Sequence, residues 1–316
     1  MSAPKALTMW MRPFTRVYKF SVFKRVWFYL ALLAVYAVAV DWVSARMLSV
    51  PGKVFKEVGN AGTYGGIVLG LLLVFRTNSA YERWWEGRKL WGQLTNDSRN
   101  FALKVHSLVD TPEHVKKRLG ELVISFAFAL KHHLRGTKPT EPLPGINDVD
   151  PSEPDHLPLF IAKQVYELIG EWSDAQSIDG FKLQVLDPHA RALMDICGGC
   201  ERIKNSPIAV SYRAFMRQGI ALNLLSWPWY LTHEYNVWWT MPPLLIGAYF
   251  LIGIELIAEE IEEPFGKDDD DLPLDDICNN IKRTVHSILQ IERPKAYTQT
   301  MEKPRLDLLR DSRMQP

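Results

Sequence analysis

Four uncharged apolar runs interrupt an otherwise polar chain. The first covers residues 26–40 and reaches about residue 45 if Asp41 sits near an interface. The second covers 58–75, and a weaker third covers 219–232, with Arg213 and Arg217 just upstream. The fourth, 235–254, is the cleanest and is about the length a bilayer-spanning helix needs. Pro242 and Pro243 lie inside it and predict a kink or a late start. Trp27, Trp42, Trp84, Trp85, Trp227, Trp229, Trp238 and Trp239 cluster at the ends of these runs, where amphipathic rings sit at a membrane surface. The pattern predicts four transmembrane helices.

Elsewhere the periodicity is that of amphipathic helices, over residues 113–134, 160–172 and 188–203. The apolar run 122–130 is too short to span. Prolines at 139, 142, 144, 151, 154 and 158 mark a loop. No stretch is rich in strand formers. The expected fold class is all-α, an integral membrane protein with a helical cytoplasmic domain. The expected organisation is a cytoplasmic N-terminal segment (1–25), the first two spans (26–80), a cytoplasmic domain (81–207) and two further spans (208–258). An acidic loop with a cytoplasmic helix (259–292) and a charged tail (293–316) follow.

Composition changes this little. A mean hydropathy of −0.10 and 23% charged residues describe a membrane part diluted by a polar one. A net charge of +1 gives no footprint for nucleic acid. Basic residues do matter. Lys5, Arg12, Arg16, Lys19, Lys24 and Arg25 precede the first run, and Arg76, Arg83, Arg88 and Lys89 follow the second. Both flanks are therefore expected in the cytoplasm, as are both termini after four spans. A signal peptide over residues 1–45, ending Val43-Ser44-Ala45, is the competing reading; its basic region is too long and Asp41 interrupts it.

Gly62, Gly66 and Gly70 recur every four residues on the second run and allow close helix approach. Ile67, Leu71 and Phe75 share that period about 100° around the helix. Copies of this helix around an axis would pack on the glycines and line a lumen with the other three. Ordinary span packing gives the same spacing.

The blocks Phe75-Arg76-Thr77-Asn78-Ser79-Ala80-Tyr81, Arg83-Trp84-Trp85-Glu86 and Arg88-Lys89-Leu90-Trp91-Gly92 resemble the bestrophin family, especially its bacterial members. So do Cys200-Glu201-Arg202-Ile203 before Pro207, and Glu263-Pro264-Phe265-Gly266 before the acids 268–271. The resemblance spans roughly residues 15–290 and keeps the family's order. It implies a ring-shaped homopentameric channel in a bacterial inner membrane, with the bilayer, permeant small ions and further copies of itself as partners. It also implies a pore neck at Ile67, Leu71 and Phe75 and a cytosolic aperture at Ile203. Leu71 departs from the Ile or Phe common in relatives. The family is named for chloride channels but includes bacterial cation conductors, and the neck has no charged ring. An anion such as chloride is the expected ion.

Glu259, Glu260, Glu262, Glu263 and Asp268 to Asp271 form an acidic run around Gly266. Clustered carboxylates suit calcium, but acids also favour loops and helix N-termini. The resemblance implies a calcium clasp made by Asp268 and Asp271 with the backbone carbonyls of Glu260 and Glu263; no cofactor is otherwise required. Glu263 replaces a common Asn, which a backbone ligand tolerates. Cys197-Gly198-Gly199-Cys200 and the histidines at 106, 114, 132, 133 and 286 would support a membrane redox enzyme, or a zinc site if Cys278 and a histidine joined the cysteine pair. They lack thioredoxin context and metal-ligand spacing. A non-conducting scaffold is the other alternative. No catalytic motif appears, so an enzyme is not expected.

Overall fold

The computed structural model describes residues 21–47, 52–139, 141–146 and 155–290. The N-terminal segment to residue 20, part of the first interspan loop and the tail expected from 293 lie outside them. Among the described residues there are eight helices and no strand. They are α1 (Ser21–Met47), α2 (Gly52–Leu108), α3 (Glu113–Arg135), α4 (Leu157–Asp174), α5 (Gly180–Asn205), α6 (Val210–Glu234), α7 (Val237–Glu262) and α8 (Leu274–Ile288). The chain divides into two compact units. One takes residues 1–88 and 202–272; the other takes 89–201 and 273–316.

The first unit is built from α1, the first part of α2, α6 and α7. Val22, Val26, Leu30, Leu33 and Ala37 repeat at three- and four-residue steps along α1 and bury one face. They pack with Leu69 and Leu73 of α2, Met216, Ile220 and Leu224 of α6, and Leu244, Ala248 and Leu256 of α7. The outward faces are equally apolar: Phe28, Val35, Val68, Leu222, Ile246 and Phe250 are exposed. Helices apolar all round are not stable in water and point to lipid. By length and apolarity, residues 24–46, 57–108 and 237–262 lie in helices able to cross a membrane. α6 matches them in length at 25 residues but carries Arg213, Arg217 and Asn223. Asn223 turns into the bundle, donating Nδ2–H to the Gly62 carbonyl at 2.8 Å.

α7 begins at Val237, capped by the Asn236 side chain, and runs through Pro242 and Pro243. Its start is therefore not delayed by the prolines. α5 likewise contains Pro188 and begins eight residues before it, at Gly180. A proline that reads as a helix start is here an interior residue.

The second unit has the opposite distribution, with apolar side chains inside. The run 122–130 is the middle of α3, and Leu122, Ile124, Phe126, Ala127, Ala129 and Leu130 are fully buried. α3 packs against α4 and α8 and ends at Gly136, whose φ of +62° closes the helix with N–H bonds back to His132 and His133.

Candidate functional site

On α2, helical geometry sorts the second apolar run into two faces. Leu69, Leu73 and Arg76 are buried, whereas Ile67, Leu71 and Phe75 stand exposed at 67%, 59% and 57%. The three form one uncovered apolar row within a single chain. On the other side Gly62 lies against Ser226 and Trp227 of α6, and Gly66 lies against Asn223. A Cβ at Gly70 would meet open space, so the glycine stripe serves packing within the chain at its first two positions only.

The row ends at an ionic collar. Arg76, one residue after Phe75, is completely buried. Its Nη2 lies 2.7 Å from Glu262 Oε2, and its Nε lies 3.6 Å from Glu255. Arg217 reaches Glu255 at 3.3 Å and Glu259 at 2.6 Å. Arg25 reaches Glu260 at 2.7 Å and Glu259 at 3.6 Å, and Arg213 lies 3.8 Å from Glu262. Four arginines thus face four glutamates. Alternating helix directions bring the start of α1, residue 76 of α2, the start of α6 and the end of α7 to one end of the unit.

This corrects the reading of the acidic run as loop or helix N-terminus. Glu259, Glu260 and Glu262 occupy the last turns of α7, where the helix dipole disfavours anions. The arginines supply the opposing charge.

Arg83 lies two turns beyond Arg76 on α2. Its Nε–H donates to the Glu262 carbonyl at 3.0 Å and its Nη2 to the Ile203 carbonyl at 2.6 Å; Nη1 donates to the Ser206 carbonyl. One guanidinium therefore caps the C-terminal ends of α5 and α7, whose last carbonyls lack helical partners. Glu262 Oε1 also accepts the Ile208 N–H at 2.9 Å. Together they fix the turn that joins α5 to α6.

Ile203 is the exception among the expected pore residues. Its side chain is 3% exposed, and assembly into a ring can only bury it further. Lys204, Asn205 and Ser206, which follow it, are exposed. Within a single chain this segment turns residues 204–206 outward and the expected Ile203 inward.

After α7 the chain turns at 264–272. Pro264 and Phe265 press on Gly87 of α2, where a Cβ would come within 3.1 Å of the Phe265 ring. Asp271 Oδ2 accepts the Asp268 N–H at 2.6 Å and its own N–H donates to the Asp268 carbonyl at 3.1 Å. Both acids expected to hold calcium therefore share one tight turn. A Cβ at Gly266 would sit 2.6 Å from Asp271 Oδ2, so a side chain there would displace that carboxylate. Four residues after Glu260 stands Pro264, which has no N–H to offer its carbonyl. Glu263 is the C-cap residue of α7.

Residues 1–287 match the profile of the bacterial/fungal bestrophin proteins. This chain belongs to that family. A voltage-dependent anion channel-forming protein of a Nostoc species is 34% identical over 233 residues, covering 71% of this chain and 76% of the relative. Another so named from a Synechocystis species is 36% identical over 235 residues, with the same coverage. Among solved structures, a bacterial bestrophin homologue from Klebsiella pneumoniae superposes with a TM-score of 0.73 at 23% identity. That comparison covers 83% of this chain and 98% of the other.

Bestrophin membership leaves the cysteines and histidines as a separate question. Cys197, Cys200 and Cys278 are buried and form no disulfide. Burial pushes Cys197 up to about 12, aided by the Glu201 carboxylate, and pushes Cys278 up to about 12 as well. Thiols raised in this way carry little thiolate near neutral pH. Two histidines do meet in the second unit. His133 Nε2 and His156 Nε2 lie 2.6 and 2.8 Å from Glu201 Oε1. Burial raises the Glu201 carboxyl, but hydrogen bonds from the two rings outweigh it and hold the group below the usual carboxylate range. No spacing rule could find this cluster, because its members are 23 and 45 residues apart along the chain.

Proposed function

We propose that this bestrophin is a homopentameric channel of a bacterial inner membrane that passes small anions, such as chloride, through a central pore. The observation that carries the reading is the uncovered row Ile67, Leu71 and Phe75, which a single chain leaves facing outward. The relatives named as anion channel-forming proteins support the choice of ion.

Five copies of the row around one axis make an apolar neck about 12 Å long, at 1.5 Å per residue. Such a constriction gates by dewetting and needs no charged ring. α6 serves as the third of four spans, with both termini and the second unit on the cytoplasmic side. The exposed residues 204–206 form the aperture in place of Ile203. Arg76 holds the foot of the neck, and Arg83 holds the turn that carries the aperture.

Reversal potential in a planar bilayer under a salt gradient tests this. A current reversing near the chloride Nernst potential is expected. Reversal near the cation potential replaces the ion, and silence from wild type and from Leu71→Ala with Phe75→Ala removes the channel.

Calcium at the turn after α7 is part of the proposal. Asp268 and Asp271 would supply carboxylate oxygens, and Glu260 and Glu263 backbone carbonyls, the hard oxygen donors calcium takes. Titration calorimetry should find binding that Asp268→Ala with Asp271→Ala abolishes. No binding to wild type would refute it.

A further inference from the structure

His133 lies in the last turn of α3, His156 caps the start of α4, and Glu201 lies near the end of α5. Their ligand atoms all lie within 4.8 Å of one another. The side chains are 26%, 31% and 27% exposed, so an ion has a path in. The ring centroids of the two histidines are 4.5 Å apart.

We propose that His133, His156 and Glu201 form a zinc-type metal site, separate from the calcium turn. Two imidazole nitrogens and one carboxylate suit zinc, whereas calcium and magnesium take oxygen donors. Among the described residues three groups can ligate, which leaves a fourth tetrahedral position for a further donor such as water.

The present geometry is that of a site closed on protons. Ligand atoms around a tetrahedral zinc, with bonds of about 2.0 Å, stand roughly 3.3 Å apart. The N···O separations here are 2.6 and 2.8 Å, so the ligands must part by about half an ångström while the protons leave. Partly exposed side chains have room for that.

Binding also has a local consequence. His156 Nδ1 now accepts the Leu159 N–H at 3.1 Å as the cap of α4. A neutral imidazole that gives the Nε2 lone pair to a metal carries its proton on Nδ1, which then opposes that N–H. Zinc therefore releases the cap, and the Leu159 amide becomes its reporter.

The experiment uses the purified full chain in detergent, stripped of metal and titrated with zinc chloride by calorimetry. One zinc per chain is expected, with faster hydrogen exchange at Leu159. Affinity should fall by at least about tenfold in His133→Gln and in Glu201→Gln, since even outer-shell changes can cost that much. It should be unchanged in Asp268→Ala with Asp271→Ala, and calcium should not compete. X-ray absorption of the zinc-loaded wild type, which needs no variant, should find two nitrogen-type neighbours and oxygen. Absence of saturable binding, equal affinity in the two Gln variants, or a zinc–sulfur shell would overturn the assignment.

Discussion

Glu262→Gln is the sharpest probe of the collar. Both carboxylate oxygens are engaged: Oε2 by Arg76 Nη2 at 2.7 Å and Oε1 by the Ile208 N–H at 2.9 Å. Glutamine keeps the shape but offers one oxygen and one NH2, so a donor must face a donor. Arg76 is fully buried and loses its nearest countercharge. Breaking a buried pair costs about 3–5 kcal/mol, and the lower end applies because Glu255 remains 3.6 Å from Arg76. Glu259→Gln is the control. Its pairs with Arg25 and Arg217 involve side chains 33–48% exposed, and such pairs are worth about 1 kcal/mol or less. Thermal unfolding in one detergent should give a clearly lower midpoint for Glu262→Gln and almost none of that loss for Glu259→Gln. Replacing both partners, Arg76→Met with Glu262→Gln, should recover much of the loss because the buried guanidinium is gone and Glu255 keeps Arg217 at 3.3 Å. Equal midpoints for the two single variants, or no recovery in the double one, would refute the argument.

Two further outcomes follow from local geometry. Leu71→Ala with Phe75→Ala should raise single-channel conductance by widening the neck, while Leu69→Ala, on the buried face of the same helix, should chiefly lower stability, by about 2–5 kcal/mol. Hydrogen bonds from Lys131 and Arg135 hold the Asp275 carboxyl down to about 2, so its folded pKa is depressed. Its contribution is therefore present above pH 4 or so, is lost as pH falls towards 2, and for so exposed a group amounts to about 1 kcal/mol or less. The difference in unfolding midpoint between wild type and Asp275→Asn, measured against pH, should close over that window.

Much of the fold was legible because hydropathy and helical period are local. The apolar runs became α1, part of α2, α6 and α7, and the amphipathic periods became α3, α4 and α5. The prolines misled at one edge: Pro188 sits inside α5, where surrounding helix tolerates a lost N–H bond. Arg213 and Arg217 were visible just upstream of the third run, but their partners could not be named from sequence. Arg76 meets Glu262 across 186 residues, and burial rather than sequence distance selected that pair.

The sequence by itself determined the family, the membrane helices and the spacing of Ile67, Leu71 and Phe75, since each is written in short local blocks of the chain. Tertiary structure alone decided that those three stand uncovered while Ile203 is buried. It also put the glutamates of α7 against four arginines instead of in a loop, and gathered His133, His156 and Glu201 from three helices. The physical reason is the same in each case. A segment fixes which residues share a helix face, but only packing decides which face meets a neighbour, and a charge or imidazole takes whatever partner that packing leaves in reach.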